Sequence, residues 1–388
     1  MKVLEGIRVL DLGSYITAPY TAMLLGELGA DVVKIERPGA ADPFRNHAAD
    51  KKAPFFFAFN RNKRSLTLDY AKPEGLAVLE KMVLDTDVLL INVRPGVEQK
   101  LGIDAARLQA LNPRLIYCSI TGFGASGPYA KRPAYDLVGQ ALSGLLSRFH
   151  QDDDPRIAGP AITDSLTGMQ ACIGVLGALH ERSRTCKGRK VEVNMLESAI
   201  SFAIEPLTHY LFSGEDQPFH YRGASSQAYI LRCRDGKRIG LHMSSPDKFW
   251  LALANSIGRP DLAETYPTSK SRLEHYDDIA QILATVFATR DRDEWLPVLE
   301  ANDVPFAPER TLNELETDAQ VQHLGTFAAV DEAAYGSSRV PNRAQRYDGD
   351  NRSVFRPPPD IGEHSDEVLT ELGMDAAAIA ALRARGIV

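Results

Sequence analysis

One aspartate, Asp164, stands in a turn of small residues, Ala161-Ile162-Thr163-Asp164-Ser165-Leu166-Thr167-Gly168, directly before a long apolar helical pattern. An aspartate there reads first as a helix N-cap, accepting hydrogen bonds from the free amides of the first turn. It also reads as a nucleophile. Helix dipole and amides are expected to keep such a carboxylate ionised at neutral pH, and an ionised carboxylate attacks an activated acyl carbon.

Other residues suit the same chemistry. Thr121-Gly122-Phe123-Gly124-Ala125-Ser126-Gly127-Pro128-Tyr129 is a glycine-rich loop after an apolar run. It is either a plain connection or a source of backbone N–H donors for an oxyanion. Tyr135-Asp136 follows, with Asp136 placed to cap a helix of its own. Basic residues gather just after expected strands or in loops: Arg37, Arg61, Lys63, Arg64, Arg94 and Lys100. Ligands of parallel sheets bind beyond the strand carboxyl ends, where such cations hold phosphates. The plainer reading of each is a solvated surface charge. Arg222 and Arg232 hint at a carboxylate-bearing substrate, and Phe55-Phe56-Phe57 reads as packing or the wall of an apolar pocket.

Several chemistries are excluded. The turn Gly13-Ser14-Tyr15-Ile16-Thr17-Ala18-Pro19 lacks the spaced glycines of a dinucleotide site, although Glu36 lies where an acid would meet a ribose. No P-loop and no G-x-S-x-G elbow occurs. Cys118, Cys172, Cys186 and Cys233 form no metal-ligand spacing, so no metal site is expected. His209, His220, His242 and His364 carry no pairing that would assign them to catalysis.

The elements that position these residues follow from the apolar periodicity. Strands are expected at 7–12, 31–36, 65–68, 88–93, 115–120 and 190–193, and helices from Pro19 to Leu28 and from Pro73 to Met82. Strands that are apolar throughout are buried on both faces. The fold class is therefore α/β, a doubly wound, mostly parallel sheet with helices on both faces. After residue 205 the texture changes, with a hairpin at 229–241 and helices at 248–257 and 276–287. The expected organisation is a large Rossmann-like domain from 1–205 and 325–388, and a smaller α+β domain at 206–324. The stretch 327–359 is irregular, and a helix closes the chain at 376–385.

With 388 residues, 44% hydrophobic and 24% charged, the chain suits a soluble two-domain protein. A net charge of -7 argues against nucleic acid as the main partner. Scattered cysteines suit a reducing compartment. No signal peptide and no membrane span is read, and the cytoplasm is the expected location.

Four stretches carry a resemblance. They are Arg8-Val9-Leu10-Asp11-Leu12 through Ala18-Pro19 to Leu28–Glu36; Asn60-Arg61-Asn62-Lys63-Arg64 to Asp69; Asn92-Val93-Arg94-Pro95-Gly96 to Asn112-Pro113-Arg114; and Gly122-Phe123-Gly124 to the Asp164 turn. Together with Gly362-Glu363-His364-Ser365 they resemble the family III CoA-transferases of CaiB/BaiF type, which include formyl-CoA transferase. The resemblance implies an interlocked, ring-like homodimer and transfer of CoA from an acyl-CoA thioester to a small carboxylic acid. It makes Asp164 the nucleophile, passing through an aspartyl anhydride and an aspartyl-CoA thioester. It puts Arg37, Asn92, Arg94, Lys100 and Leu101 at CoA-binding positions and Tyr135 and Asp136 beside the reacting carbonyl. It implies no prosthetic group, and a lid near 221–229. Ile16 stands where the formyl-CoA enzyme has glutamine, Lys100 where it has arginine, and Gly223-Ala224-Ser225-Ser226-Gln227 replaces its glycine run. The first and last departures count against oxalate or formyl-CoA specificity. The rival readings are an α-methylacyl-CoA racemase and a non-catalytic CoA-binding protein. The racemases place a histidine base where Tyr135 stands, and tyrosine is a poor base near neutrality.

Overall fold

The computed structural model describes residues 2–46, 53–150, 155–157, 159–244, 247–330, 338–349 and 356–388. The chain divides into a unit formed by Met1–Leu207 with His323–Val388 and a unit formed by Thr208–Gln322.

In the first unit strands and helices alternate. They are β1 (Arg8–Asp11), α1 (Thr17–Glu27), β2 (Asp31–Glu36), α2 (Pro54–Asn60), β3 (Lys63–Thr67), α3 (Pro73–Val83), β4 (Val88–Ile91), α4 (Val97–Leu101), α5 (Ala105–Leu111), β5 (Ile116–Thr121), α6 (Asp136–Leu142), α7 (Ile162–Thr185), β6 (Lys190–Asn194) and α8 (Met195–Phe202). The sheet runs β3-β2-β1-β4-β5-β6 with every pair parallel. This is the doubly wound order, and it reverses between β1 and β4.

The apolar runs explain it. All four residues of β4 are buried, so neither face can meet water. Alternate side chains point to opposite faces. Val9, Val32, Val88 and Leu90 join α1 and α7 on one side. Leu10, Val33, Leu89 and Ile91 join α3, α5 and the helices Ser365–Glu371 and Ala376–Ala384 on the other.

α7 is 24 residues long and apolar enough by composition to cross a bilayer, which the sequence reading did not recognise. Here it lies along the sheet, burying Ala171, Cys172, Val175 and Ala178. It meets α1 closely at Gly168, where an added Cβ would sit 2.9 Å from Tyr20 Cδ1. Thr21 Oγ1 donates to the Gly168 carbonyl at 3.0 Å across the same crossing.

A buried charge network lies under the β1–β2–β3 ends. Lys63 Nζ donates to Asp11 Oδ2, to the Pro19 carbonyl and to Asn60 Oδ1, each at 2.8 Å. Lys34 Nζ lies 3.1 Å from Asp42 and 3.8 Å from Asp11. Burial would raise the Asp11 carboxyl, but the two lysines overcome it and hold the group below its ordinary range.

The second unit is α+β. β7 (Ala228–Arg232), β8 (Arg238–His242) and β9 (Phe306–Pro308) form an antiparallel sheet. Its inner face packs on helices at Asp247–Ser256, Tyr276–Phe287 and Arg292–Ala301 through Trp250, Leu283 and Trp295. The stretch read as turn-rich contains a short helix, Tyr221–Ser225. Its polar side chains turn back on the backbone, with Ser225 Oγ donating to the Arg222 carbonyl at 3.1 Å.

Candidate active site at the strand carboxyl ends

The loops that leave β1, β4 and β5 meet at the point where the strand order reverses. They enclose a crevice of about 230 Å³ lined by Tyr15, Asn92, Arg94, Arg132, Tyr135 and Asp164, among others. Each wall has a local cause. The turn after β1 needs glycine at position 13, because a Cβ there would sit 2.4 Å from Ala18 Cβ. Asp11 Oδ1 accepts the Gly13 N–H at 2.9 Å, and Lys34 Nζ donates to the Gly13 carbonyl at 2.9 Å. Tyr15 then takes a left-handed backbone, φ 62°, which a bulky residue adopts only where its surroundings enforce it.

Asn92 is the clamp of that wall. Its Oδ1 accepts Ser14 N–H at 3.1 Å, and its Nδ2 donates to Ser14 O at 2.8 Å and Thr17 Oγ1 at 3.0 Å. The opposite wall starts at β5. Thr121 Oγ1 accepts Gly124 N–H at 3.0 Å. Gly122 lies so near Ala134 that a Cβ would fall 2.3 Å from the alanine methyl.

Asp164 is in the first turn of α7, not at its cap. The helix begins at Ile162, and the preceding Ala161 has no side chain that can cap it. The cap comes from α6. Asp136 Oδ1 accepts Thr163 N–H at 2.7 Å and Asp164 N–H at 3.2 Å. Its other oxygen accepts Gln140 Nε2 at 2.5 Å. Asp136 therefore does not cap its own helix, whose N-cap is Tyr135. Among the described residues no donor hydrogen-bonds the Asp164 carboxylate. Burial, and then the charge of Asp136, push the Asp164 carboxyl up to about 7. This corrects the expectation that dipole and amides hold it firmly ionised, since those amides are spent on Asp136.

Asn92, Arg94, Tyr135 and Asp164 thus share one crevice, and Asp136 is bonded to its rim. Tyr135 is 60% exposed and stands edge-on to Tyr15, with ring centroids 6.0 Å apart. Arg37, Lys100 and Leu101 are not among its lining residues. Arg37 is half-buried just past β2. Lys100 is exposed in the last turn of α4, and Leu101 packs against the core under it. Among the described residues Arg94 and Lys100 have no ion-pair partner.

Three other expected cations are internal. Arg61 pairs with Glu27, Lys63 with Asp11, and Arg64 with Asp31, Glu367 and Glu371. None is free to hold a phosphate. Glu36 is likewise held by Arg45 and the Asp42 N–H, not left for a ribose. Tyr15 and Arg132 are wall residues that carried no sequence signal, as a left-handed tyrosine and a loop arginine leave none. Arg132 stacks on the Tyr129 ring at 4.0 Å. Among the described residues no cluster of His, Cys, Asp or Glu could hold a metal. A larger recess, about 960 Å³ and mostly apolar, is lined from α1, α2, α7 and 338–347 but lacks Asp164.

Comparison with known proteins gives this crevice a context. A model described as CoA-transferase family III matches residues 4–365. Succinyl-CoA:glutarate CoA-transferase of Mus musculus is 31% identical over 398 residues, covering 100% of this chain and 91% of that protein. The succinyl-CoA–L-malate CoA-transferase beta subunit of Chloroflexus aurantiacus is 33% identical, covering 99% of this chain and 98% of that one. A crystal structure of a CAIB/BAIF family protein from Brucella suis superposes with a TM-score of 0.83 at 28% identity, covering 95% of this chain and 99% of that one. With a family match across nearly its whole length and relatives above 30% identity over most of theirs, the chain belongs to CoA-transferase family III and is a CoA-transferase enzyme.

Proposed function

We propose that Asp164 is the nucleophile of CoA transfer. The observation that carries this is its carboxylate in the switch-point crevice, on the first turn of α7, with no donor bonded to it among the described residues. An Asp164 oxygen attacks the thioester carbonyl, the C–S bond breaks, and CoA thiolate leaves with the electron pair. The product is an aspartyl-acyl anhydride. The thiolate then attacks the aspartyl carbonyl and expels the donor carboxylate, leaving an aspartyl-CoA thioester. An acceptor carboxylate reverses both steps.

The chain's own residues support each stage. Of the glycine-rich loop, Thr121 and Gly122 line the crevice, where a backbone N–H would meet a developing oxyanion. Arg94 and Arg132 bring positive charge to the crevice, which suits CoA phosphates and a second carboxylate on the acyl group. Relatives named for succinyl-CoA, glutarate and L-malate point the same way, to short dicarboxylic acids as donor and acceptor. The same reading includes a cytoplasmic homodimer. Leu211 at 70% and Phe212 at 91% exposure support a covering partner.

Intact-protein mass after brief mixing with a panel of acyl-CoA thioesters tests the proposal. A CoA-sized adduct mapping to Asp164, absent in Asp164→Ala, is expected, strongest with succinyl-CoA. No adduct with any thioester, together with solvent deuterium entering the α-carbon, would overturn it.

A further inference from the structure

We infer that Asp136 is a positioning residue, the in-trans cap of the nucleophile's helix, whose charge keeps Asp164 uncapped and primed for attack. The inference rests on the proposed role of Asp164.

Two acceptors compete for the free amides of α7. Ala161 offers none, so Asp164 would be the natural acceptor from within the helix. Asp136 reaches across from α6 and takes the Thr163 and Asp164 N–H groups itself. Gln140, buried one turn further along α6, fixes the second Asp136 oxygen. The Asp164 carboxylate is thereby left without the donors that would have stabilised its charge and blunted its attack.

The second effect is electrostatic. Two carboxylates on adjoining first turns repel. When Asp164 attacks, its charge passes to the departing thiolate, and the anhydride left behind is neutral. Acylation therefore relieves the repulsion, and the aspartyl-CoA thioester keeps it relieved. Other charged or titratable groups line the same crevice, Tyr15, Arg94, Arg132 and Tyr135, while Glu197 of the neighbouring α8 is engaged with Asn194. Burial raises the Asp164 carboxyl first, and Asp136 is the group whose charge adds to that rise.

The test is the pH dependence of CoA-adduct formation in wild type, Asp136→Asn and Asp136→Glu. Wild type is expected to lose rate below a midpoint of about 7. Asp136→Asn keeps an oxygen for the amides and loses the charge. Its midpoint should fall by about one pH unit or more, and its rate at pH 8 by about tenfold or more. Asp136→Glu should keep the high midpoint at a reduced rate. If Asp136→Asn does not fold, Asp136→Ser, a neutral hydroxyl cap, takes its place. An Asn variant slowed equally at all pH values, its midpoint within about 0.3 of wild type, would reduce Asp136 to a structural cap and overturn the inference. The carboxyl ¹³C titration of Asp164 in unliganded enzyme, wild type against Asp136→Asn, reads the same shift without turnover. It decides the role of Asp136 even if wild type forms no adduct and the nucleophile assignment falls.

Discussion

Lys63 and Asp11, both wholly buried, meet at 2.8 Å directly beneath the Gly13 turn. The other Asp11 oxygen holds the Gly13 N–H, so one ion pair sets the floor of the crevice. Breaking a buried pair from one side leaves an uncompensated charge in a medium that cannot solvate it. Lys63→Met should cost about 3–5 kcal/mol by urea unfolding. Asp11→Leu in the same chain should recover most of that stability but not the adduct rate, since the leucine no longer accepts the Gly13 N–H. A single variant as stable as wild type would show that Lys34 alone carries the Asp11 charge.

Asn92 spends its amide on Ser14 and Thr17, which separates two roles. If it holds the loop, Asn92→Ala destabilises the unliganded enzyme by about 1–3 kcal/mol and slows adduct formation together. If it served only CoA, the melting temperature without ligand would not move. Thermal unfolding of the free enzyme distinguishes them, and the three hydrogen bonds lead us to expect the first result.

Gly122 and Ala134 bring the two ends of the β5–α6 loop, one wall of the crevice, into contact. A methyl on Gly122 forces them apart, and a displacement near 1 Å can cost about a hundredfold in rate. Gly122→Ala should therefore lower the adduct rate by about tenfold or more and cost about 1–3 kcal/mol of stability. Adding Ala134→Gly, which removes the opposing methyl, should restore the rate. Failure of the double variant to recover would mean the glycine is needed for its backbone.

The raised Asp164 carboxyl has a thermodynamic sign. Its folded value, about 7, lies above the ordinary 3.8. Between these values the folded state binds more protons than the unfolded, so stability falls as pH rises, and the full cost is present above pH 7. Asp164→Asn carries no such cost. Its stability advantage should be about 1–2 kcal/mol at pH 5 and grow to about 3–4 kcal/mol at pH 8. Urea midpoints at both values check this, and a gap that does not change with pH would contradict it.

The strands were legible because double-sided burial writes itself as continuous apolar sequence. β2 was read at its observed bounds, and all six strands of the large sheet were located within two or three residues. The site was legible as residue types, not as relationships. Arg61, Lys63 and Arg64 look like surface cations because such residues are mostly exposed. Their acids lie 34, 52 and 303 positions away in sequence, beyond any local pattern. The cap of α7 was misassigned for the same reason: Asp164 has the right type and place to cap, but the acceptor arrives from 27 residues earlier. Phe55-Phe56-Phe57 carried no helix signal, yet with Pro54 at its first turn the run forms α2.

Arg64 joins β3 to Glu367 and Glu371 of a helix near the far end of the sequence, and Asp69 N–H bonds the Ile387 carbonyl. The outer strand of the large sheet is therefore completed by residues synthesised some 300 positions after it. At about 5–20 residues per second, β3 waits about 15–60 seconds for that cover during translation. The unit at 208–322 is contiguous and has its whole core within that interval. Assembly on the ribosome should thus run inside out along the gene, the inserted unit closing before the sheet that precedes it, with the bare β3 edge open to chaperones meanwhile.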